Sequence, residues 1–141
     1  MIGFLLDTNV ISELARPKPD RNVVRWLDAV DEELLFLSVL TVGELRKGIT
    51  TLSDPVRKTL LESWLVGDVL VRFEGRILPI EQAVAERWGQ LSGTLAKRGS
   101  PLPVIDGLLA ATAMHHNLTL VTRNTRDVAL TGVVVLDPWM A

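Results

Sequence analysis

Four acidic residues, Asp7, Glu44, Asp106 and Asp127, stand where short apolar runs give way to helical patterns. Asp7 follows Ile2-Gly3-Phe4-Leu5-Leu6. Glu44 comes shortly after Leu35-Phe36-Leu37-Ser38-Val39-Leu40. Asp106 opens a helix of small residues, and Asp127 comes after Leu118-Thr119-Leu120-Val121-Thr122. Four carboxylates gathered in one place repel strongly unless a divalent cation sits among them. Mg²⁺ prefers octahedral oxygen coordination and keeps several waters. One or two carboxylates would therefore bind it directly, and the others would hold its waters. Water on such an ion has a lowered pKa and can attack phosphorus, while the ion stabilises charge on the phosphate oxygens. One metal and two metals both remain open. Thr8 and Asn9 stand beside Asp7, and Thr122 and Asn124 precede Asp127. A hydroxyl such as that of Thr122 can orient a carboxylate, and Asn124 can bind a ligand or support one.

The elements that would bring these residues together are legible in the periodicity. Residues 2–6, 35–40, 76–80, 118–122 and 133–136 read as short buried strands. Helices are expected over 9–15, 20–30, 42–52, from Pro55 onward, 81–97 and 105–116. Asp20 is a candidate N-cap, and Pro55 suits a first helical turn. Gly67 could interrupt the helix that follows Pro55, and residues 68–73 fit helix or strand. Alternating strands and helices predict an α/β fold with a mostly parallel central sheet flanked by helices, as one domain spanning 1–141. Right-handed crossovers then bring the strand-to-helix turns to one edge, where ligands bind such sheets.

Each acid also has a purely structural reading. Asp7 suits an N-cap, and Glu44 suits a capping box with Thr41. Asp106 could be a helix-dipole partner and Asp127 a loop acid. Thr122 and Asn124 could be turn residues. Four such readings at one edge sit less comfortably together, because like charges there cost energy.

Composition narrows the class. The chain has 141 residues, 48% of them hydrophobic, and no cysteine. That size buries a proper core, and disulfides and thiolate metal sites are excluded. No apolar stretch reaches membrane-spanning length, and the start lacks the basic region of a signal peptide, which fits a cytoplasmic protein with no membrane partner. The net charge of −2 is not that of a surface that grips nucleic acid as a whole. Local cations could still hold a strand beside an acidic pocket. Arg16, Lys18, Arg21, Arg25, Arg46, Lys47, Lys97, Arg98, Arg123 and Arg126 are available for that, or are solvated surface charges. His115 and His116 are adjacent on a helix, so their side chains should diverge rather than share a metal. The tryptophans Trp26, Trp64, Trp88 and Trp139 read as core or dimer contacts rather than base-stacking platforms.

The chain resembles PIN-domain ribonucleases, and among them the VapC-type toxins of toxin–antitoxin pairs, in the FitB-like branch. The residues that carry the likeness are Leu5-Leu6-Asp7-Thr8-Asn9-Val10-Ile11-Ser12, Ser38-Val39-Leu40-Thr41-Val42-Gly43-Glu44-Leu45, Pro103-Val104-Ile105-Asp106-Gly107-Leu108-Leu109-Ala110-Ala111-Thr112-Ala113 and Leu120-Val121-Thr122-Arg123-Asn124-Thr125-Arg126-Asp127-Val128. The resemblance implies Mg²⁺ or Mn²⁺ at the acidic cluster and cleavage of RNA. Asp7 and Asp106 match the acids usually assigned as metal ligands, and Glu44 and Asp127 match the rest of the quartet. It also implies a homodimer and a small antitoxin that covers the site. The chain departs from the pattern at Val128, where an aromatic is common, and at Asn124, where some relatives carry a further acid. The second departure bears on whether Asp127 touches metal directly.

Two rival readings differ in class. A phosphatase of haloacid-dehalogenase type needs a second Asp two residues after the first, where this chain has Asn9. A non-catalytic PIN-like RNA-binding or scaffold module would be expected to have lost a carboxylate, and all four are present.

Overall fold

The computed structural model describes residues 2–141; Met1, the first residue of the expected 1–141 domain, lies outside them. Five short strands form the sheet: β1 (Phe4–Leu6), β2 (Leu35–Ser38), β3 (Ile77–Leu78), β4 (Thr119–Val121) and β5 (Val135–Leu136). Their order is β3-β2-β1-β4-β5, and every pair is parallel. β1 is central, with Leu5 opposite Phe36 on one side and Leu120 on the other. The chain builds outward from β1 in one direction and then the other, so the order reverses between β1 and β4. That reversal leaves a crevice at the carboxyl ends of those two strands.

The strands alternate sides with the period of two that a pleated backbone imposes. Leu6 and Val121 face one core, with Leu35 and Leu37 of β2. Leu5 and Leu120 face the other. The first core is covered by α1 (Thr8–Leu14), α2 (Arg21–Ala29), α3 (Val39–Thr50) and α4 (Pro55–Trp64), together with a wide π-helical turn over Leu65–Val69. The last turn of that stretch, α5 (Leu70–Arg72), leads to the buried Phe73. The second core is covered by α6 (Gln82–Lys97), α7 (Val104–His115) and α8 (Thr125–Ala129).

Several helix starts follow from their capping residues. Asp20 accepts hydrogen bonds from the N–H groups of Asn22 and Val23, and Asp54 from those of Val56 and Arg57 ahead of Pro55. Gly67 does not interrupt the fourth helix: the π turn carries the chain past it, and residues 70–72 are helical rather than extended. Strand β2 ends at Ser38 rather than at residue 40. Ser38 caps α3 by accepting from Leu40 N–H. The capping box expected between Thr41 and Glu44 does not form, because Thr41 already lies inside the helix, fully buried.

α7 packs closely because its inner surface is small. Ala110, Ala111 and Ala113 are fully buried, and a methyl group placed on Gly107 would come within 3.0 Å of the Trp88 indole. The lack of side-chain bulk lets α7 approach α6 and β1 with Asp106 in its first turn.

Leu5 is inaccessible to solvent on the central strand. We expect Leu5→Ala to lower unfolding free energy by about 2–5 kcal/mol through lost burial and a residual cavity. Urea denaturation reads this as a lower midpoint at an unchanged slope.

Candidate active site

The site starts at the last rungs of two neighbouring strands. Asp7 N–H donates to the Val121 carbonyl at 2.9 Å, one residue beyond β1, and Thr122 N–H donates to the Leu136 carbonyl at 3.0 Å, one residue beyond β4. Parallel pairing therefore brings Asp7 and Thr122 side by side. The Thr122 hydroxyl donates to Asp7 Oδ2 at 2.8 Å. The same hydroxyl oxygen accepts from Asn124 N–H at 3.0 Å. With one lone pair so engaged, its proton is directed to the carboxylate. Thr122 is thus both the turn residue and the carboxylate's support.

Asp7 is held at its other oxygen as well. Oδ1 accepts from Thr8 N–H at 2.7 Å, which makes Asp7 the N-cap of α1. Asn9 Nδ2 lies 3.4 Å from both Asp7 Oδ2 and Thr122 Oγ1, and Asn9 Oδ1 accepts weakly from Arg123 N–H at 3.5 Å. Glu44, in the second turn of α3, receives the Thr8 hydroxyl on Oε1 at 2.5 Å. Thr8 thus couples two acids, its backbone holding Asp7 and its side chain holding Glu44. Asp106 and Asp127 sit in the first turns of α7 and α8. Asp7, Glu44 and Asp106 are half-buried, and Asp127 is exposed.

Electrostatics tie the four acids into one group. Burial raises Asp106 above its ordinary value of 3.8, and the charges of Asp7, Glu44 and Asp127 raise it further. Burial raises Asp7 too, opposed by the hydrogen bonds from Thr122 and Thr8 and assisted by the Glu44 charge. None of the four takes part in an ion pair among the described residues. The edge is therefore a concentration of negative charge in which no protein cation is paired with the acids among the described residues.

No three Asp, Glu or His side chains among the described residues stand as a ready ligand set for a metal ion. What is present fits a hydrated hard cation: a half-buried carboxylate fixed by two donors, a second whose charge is resisted by three neighbours, and further side-chain oxygens around them. An ion that retains several waters asks for one or two direct carboxylates, not three.

Of the supporting residues, Thr8, Asn9 and Thr122 are joined to the quartet by hydrogen bonds. Asn124 contributes its backbone N–H, and its exposed side chain makes no cap to α8. The two histidines stand at the C-terminus of α7, their rings edge to face at 4.9 Å and nearly perpendicular, which offers no shared ligand face. A further feature escaped the residue-by-residue reading. A cleft of about 220 Å³ runs from Thr8 and Glu44 past Ser12 and Arg16 to Arg57 and Trp64. The i, i+4 spacing of Thr8 and Ser12 on one face of α1, with Ala15 and Arg16 just past its end, was its signal in the sequence.

The Asp106 shift fixes the sign of a pH effect. Between the ordinary value of 3.8 and the raised one, the folded state keeps a proton that the unfolded chain has lost. Stability contributed by that proton falls as pH rises through this window and stays lost above it. We expect Asp106→Asn to melt at a higher temperature than wild type at neutral pH in metal-free buffer, with the gap closing below the ordinary value. A variant that melts at or below wild type at neutral pH would contradict the charge cluster.

Comparison with known proteins agrees with this layout. Residues 4–131 match the PIN domain family. Toxin FitB of Neisseria gonorrhoeae is 42% identical over 136 residues, covering 96% of this chain and 98% of that protein. VapC ribonuclease Y4jK of Sinorhizobium fredii is 38% identical, covering 96% and 97%. The crystal structure of FitAcB from Neisseria gonorrhoeae superposes with a TM-score of 0.93 at 41% identity, over 98% of this chain and 99% of that one. With the parallel sheet, the acids at its carboxyl edge and these similarities together, the chain belongs to the PIN-domain family, among the VapC-type toxin ribonucleases of toxin–antitoxin systems.

Proposed function

We propose that the chain is a Mg²⁺-dependent endoribonuclease, also served by Mn²⁺, that hydrolyses RNA phosphodiesters. The observation that carries the reading is Asp106: a half-buried carboxylate resisted by three neighbouring acids and ion-paired to nothing among the described residues. Such an arrangement costs stability in isolation and is useful only if a cation and its anionic ligand complete it.

Asp7 and Asp106 are the residues proposed to hold the ion, with Glu44 and Asp127 engaging it through water. A bound divalent ion supplies charge stabilisation on the phosphate oxygens and a lowered pKa for the attacking water. The protein's own part is positioning. The Thr122 hydroxyl and the Thr8 N–H favour the ionised form of Asp7, opposing part of the cost of its burial, and fix both its oxygens. The Thr8 hydroxyl fixes Glu44 through one oxygen, leaving Oε2 with no protein donor among the described residues and able to accept a proton from water. Asn9 braces both Asp7 and Thr122, so the pair does not depend on solvent for its geometry.

The named relatives support a biological setting. The solved relatives include FitAB bound to a DNA fragment, and VapBC complexes described as toxin–antitoxin systems. We place this chain as the toxin of such a pair, inhibited by a small antitoxin protein and acting as a homodimer.

Asp7→Asn should preserve the N-cap, since Asn and Asp cap equally well. It should nonetheless lower RNA cleavage by about a hundredfold or more, in the range seen when a charge-stabilising group is removed. Asp106→Asn should do the same. Excess EDTA should stop wild-type cleavage, and Mg²⁺ or Mn²⁺ should restore it. Sequencing RNA ends after brief induction in cells reads both activity and target. Wild-type rates from either variant, or full activity in EDTA, would overturn the proposal.

A further inference from the structure

We infer that Arg123 binds a backbone phosphate of the RNA strand beside the one that is cut, and that Trp139 is the positioning residue that holds its guanidinium ready. The inference rests on the ribonuclease reading and adds a residue to it.

Arg123 follows Thr122 directly, so its backbone belongs to the site: its N–H faces Asn9 Oδ1 at 3.5 Å. An exposed arginine next in the chain to Thr122, whose hydroxyl donates to Asp7, is expected to fold back onto that carboxylate. It does not. The guanidinium carbon lies 5.0 Å from the centroid of the Trp139 ring, and Arg123 is in no ion pair among the described residues. Its side-chain N–H groups donate to no protein acceptor among those residues either. Of the ten basic residues that could hold a strand, Arg16 and Arg46 are tied to Glu13 and Glu62. Arg123 alone of the ten stacks on an aromatic ring.

Trp139 is itself anchored. Its backbone N–H donates to Asp137 Oδ1 at 2.8 Å, and its backbone carbonyl accepts from Asn22 Nδ2 at 2.7 Å. The ring is half-buried against the core that α1 and α2 cover. A fixed indole attracts the guanidinium through its quadrupole and uses only the face of the cation. The N–H fork that matches a phosphate bidentately stays open. This solves a local problem. The site must keep its own arginine off the acids, which would otherwise be neutralised and closed to a metal ion. It must also offer the substrate a cation, because a chain with net charge −2 supplies no general attraction for a polyanion.

The phosphate contact carries no base information, so the probe is a fluorescein-labelled pool of random single-stranded RNA. Binding is measured in the Asp7→Asn background, where cleavage does not intervene, and kinetics in the otherwise wild-type chain. Adding Arg123→Ala should weaken pool binding about tenfold, as for one lost charge-assisted contact. The slope of log affinity against log salt should shrink by about one. In active protein the same change should raise KM by a similar factor and leave kcat within about twofold. Arg123→Lys should restore most of the salt slope. Trp139→Phe should bind like its parent, whereas Trp139→Leu, at unchanged Tm, should weaken binding. Equal Kd and salt slope with and without Arg123→Ala would sink the assignment of Arg123. Equal binding by Trp139→Leu and Trp139→Phe would sink the role of the ring. A wild-type chain that cuts no RNA with Mg²⁺ or Mn²⁺ would instead remove the ribonuclease reading itself.

Discussion

Uncompensated negative charge at the carboxyl edge of the sheet is the constraint around which the rest of this structure is arranged. Other acids of the chain show what compensation looks like. Burial pushes Glu32 up, yet the hydrogen bonds and charges of Arg72 and Arg76 outweigh it and hold its carboxyl below the usual range. The buried Glu13 accepts the Asp20 N–H and pairs with Arg16. Each of those carboxylates is answered by donors and a guanidinium, and each serves packing. Asp106 is answered by three more acids. The fold has arginines to spare and withholds them from this one place.

Holding such a cluster together demands rigidity from everything beneath it. Three consecutive register pairs between β1 and β4 fix the height of Asp7 relative to Thr122. The two neighbouring backbone bonds past the strand ends then leave the side chains no choice but to meet. On the other face, the buried alanines of α7 permit the close approach that brings Asp106 within reach of the same charges. The core and the site are therefore one construction. Leu6 and Val121 pack into one core, and the residues that follow each of them, Asp7 and Thr122, are joined by a hydrogen bond at the sheet edge.

Much of this was legible in the sequence, because strand ends in a parallel sheet share an edge and apolar runs reveal the strands. Asp7, Asp20, Pro55 and the alanine-rich helix after Pro103 announced their roles through capping chemistry, first-turn preference and side-chain size. Three things were not legible. The Thr8–Glu44 hydrogen bond joins residues 36 positions apart, and no local rule couples them. The π turn around Gly67 adds a residue to one helical turn, which a fixed helical period cannot register. The edge-to-face contact of the His115 and His116 rings is set by side-chain rotamers, which backbone periodicity does not report.

The structural and functional readings of the acids were set against each other in the sequence, and the coordinates show that the opposition was false for Asp7 and real for Glu44. Asp7 caps α1 and also belongs to the cluster, because an N-cap accepts through one carboxylate oxygen and leaves the other for a partner. Glu44 could not have been both. A capping-box glutamate turns back to its own helix start, away from β1, whereas Glu44 reaches across to α1. Ser38 resolves the conflict by taking over the cap of α3. With the helix end satisfied three residues earlier than Thr41 suggests, Glu44 lies in the second turn with no local partner to claim it. The cost falls on Thr41, whose buried hydroxyl has no hydrogen-bond partner among the described residues. A local rule broken in the turn just before a catalytic candidate, with the freed side chain directed at the site, is the pattern expected where function has overridden packing.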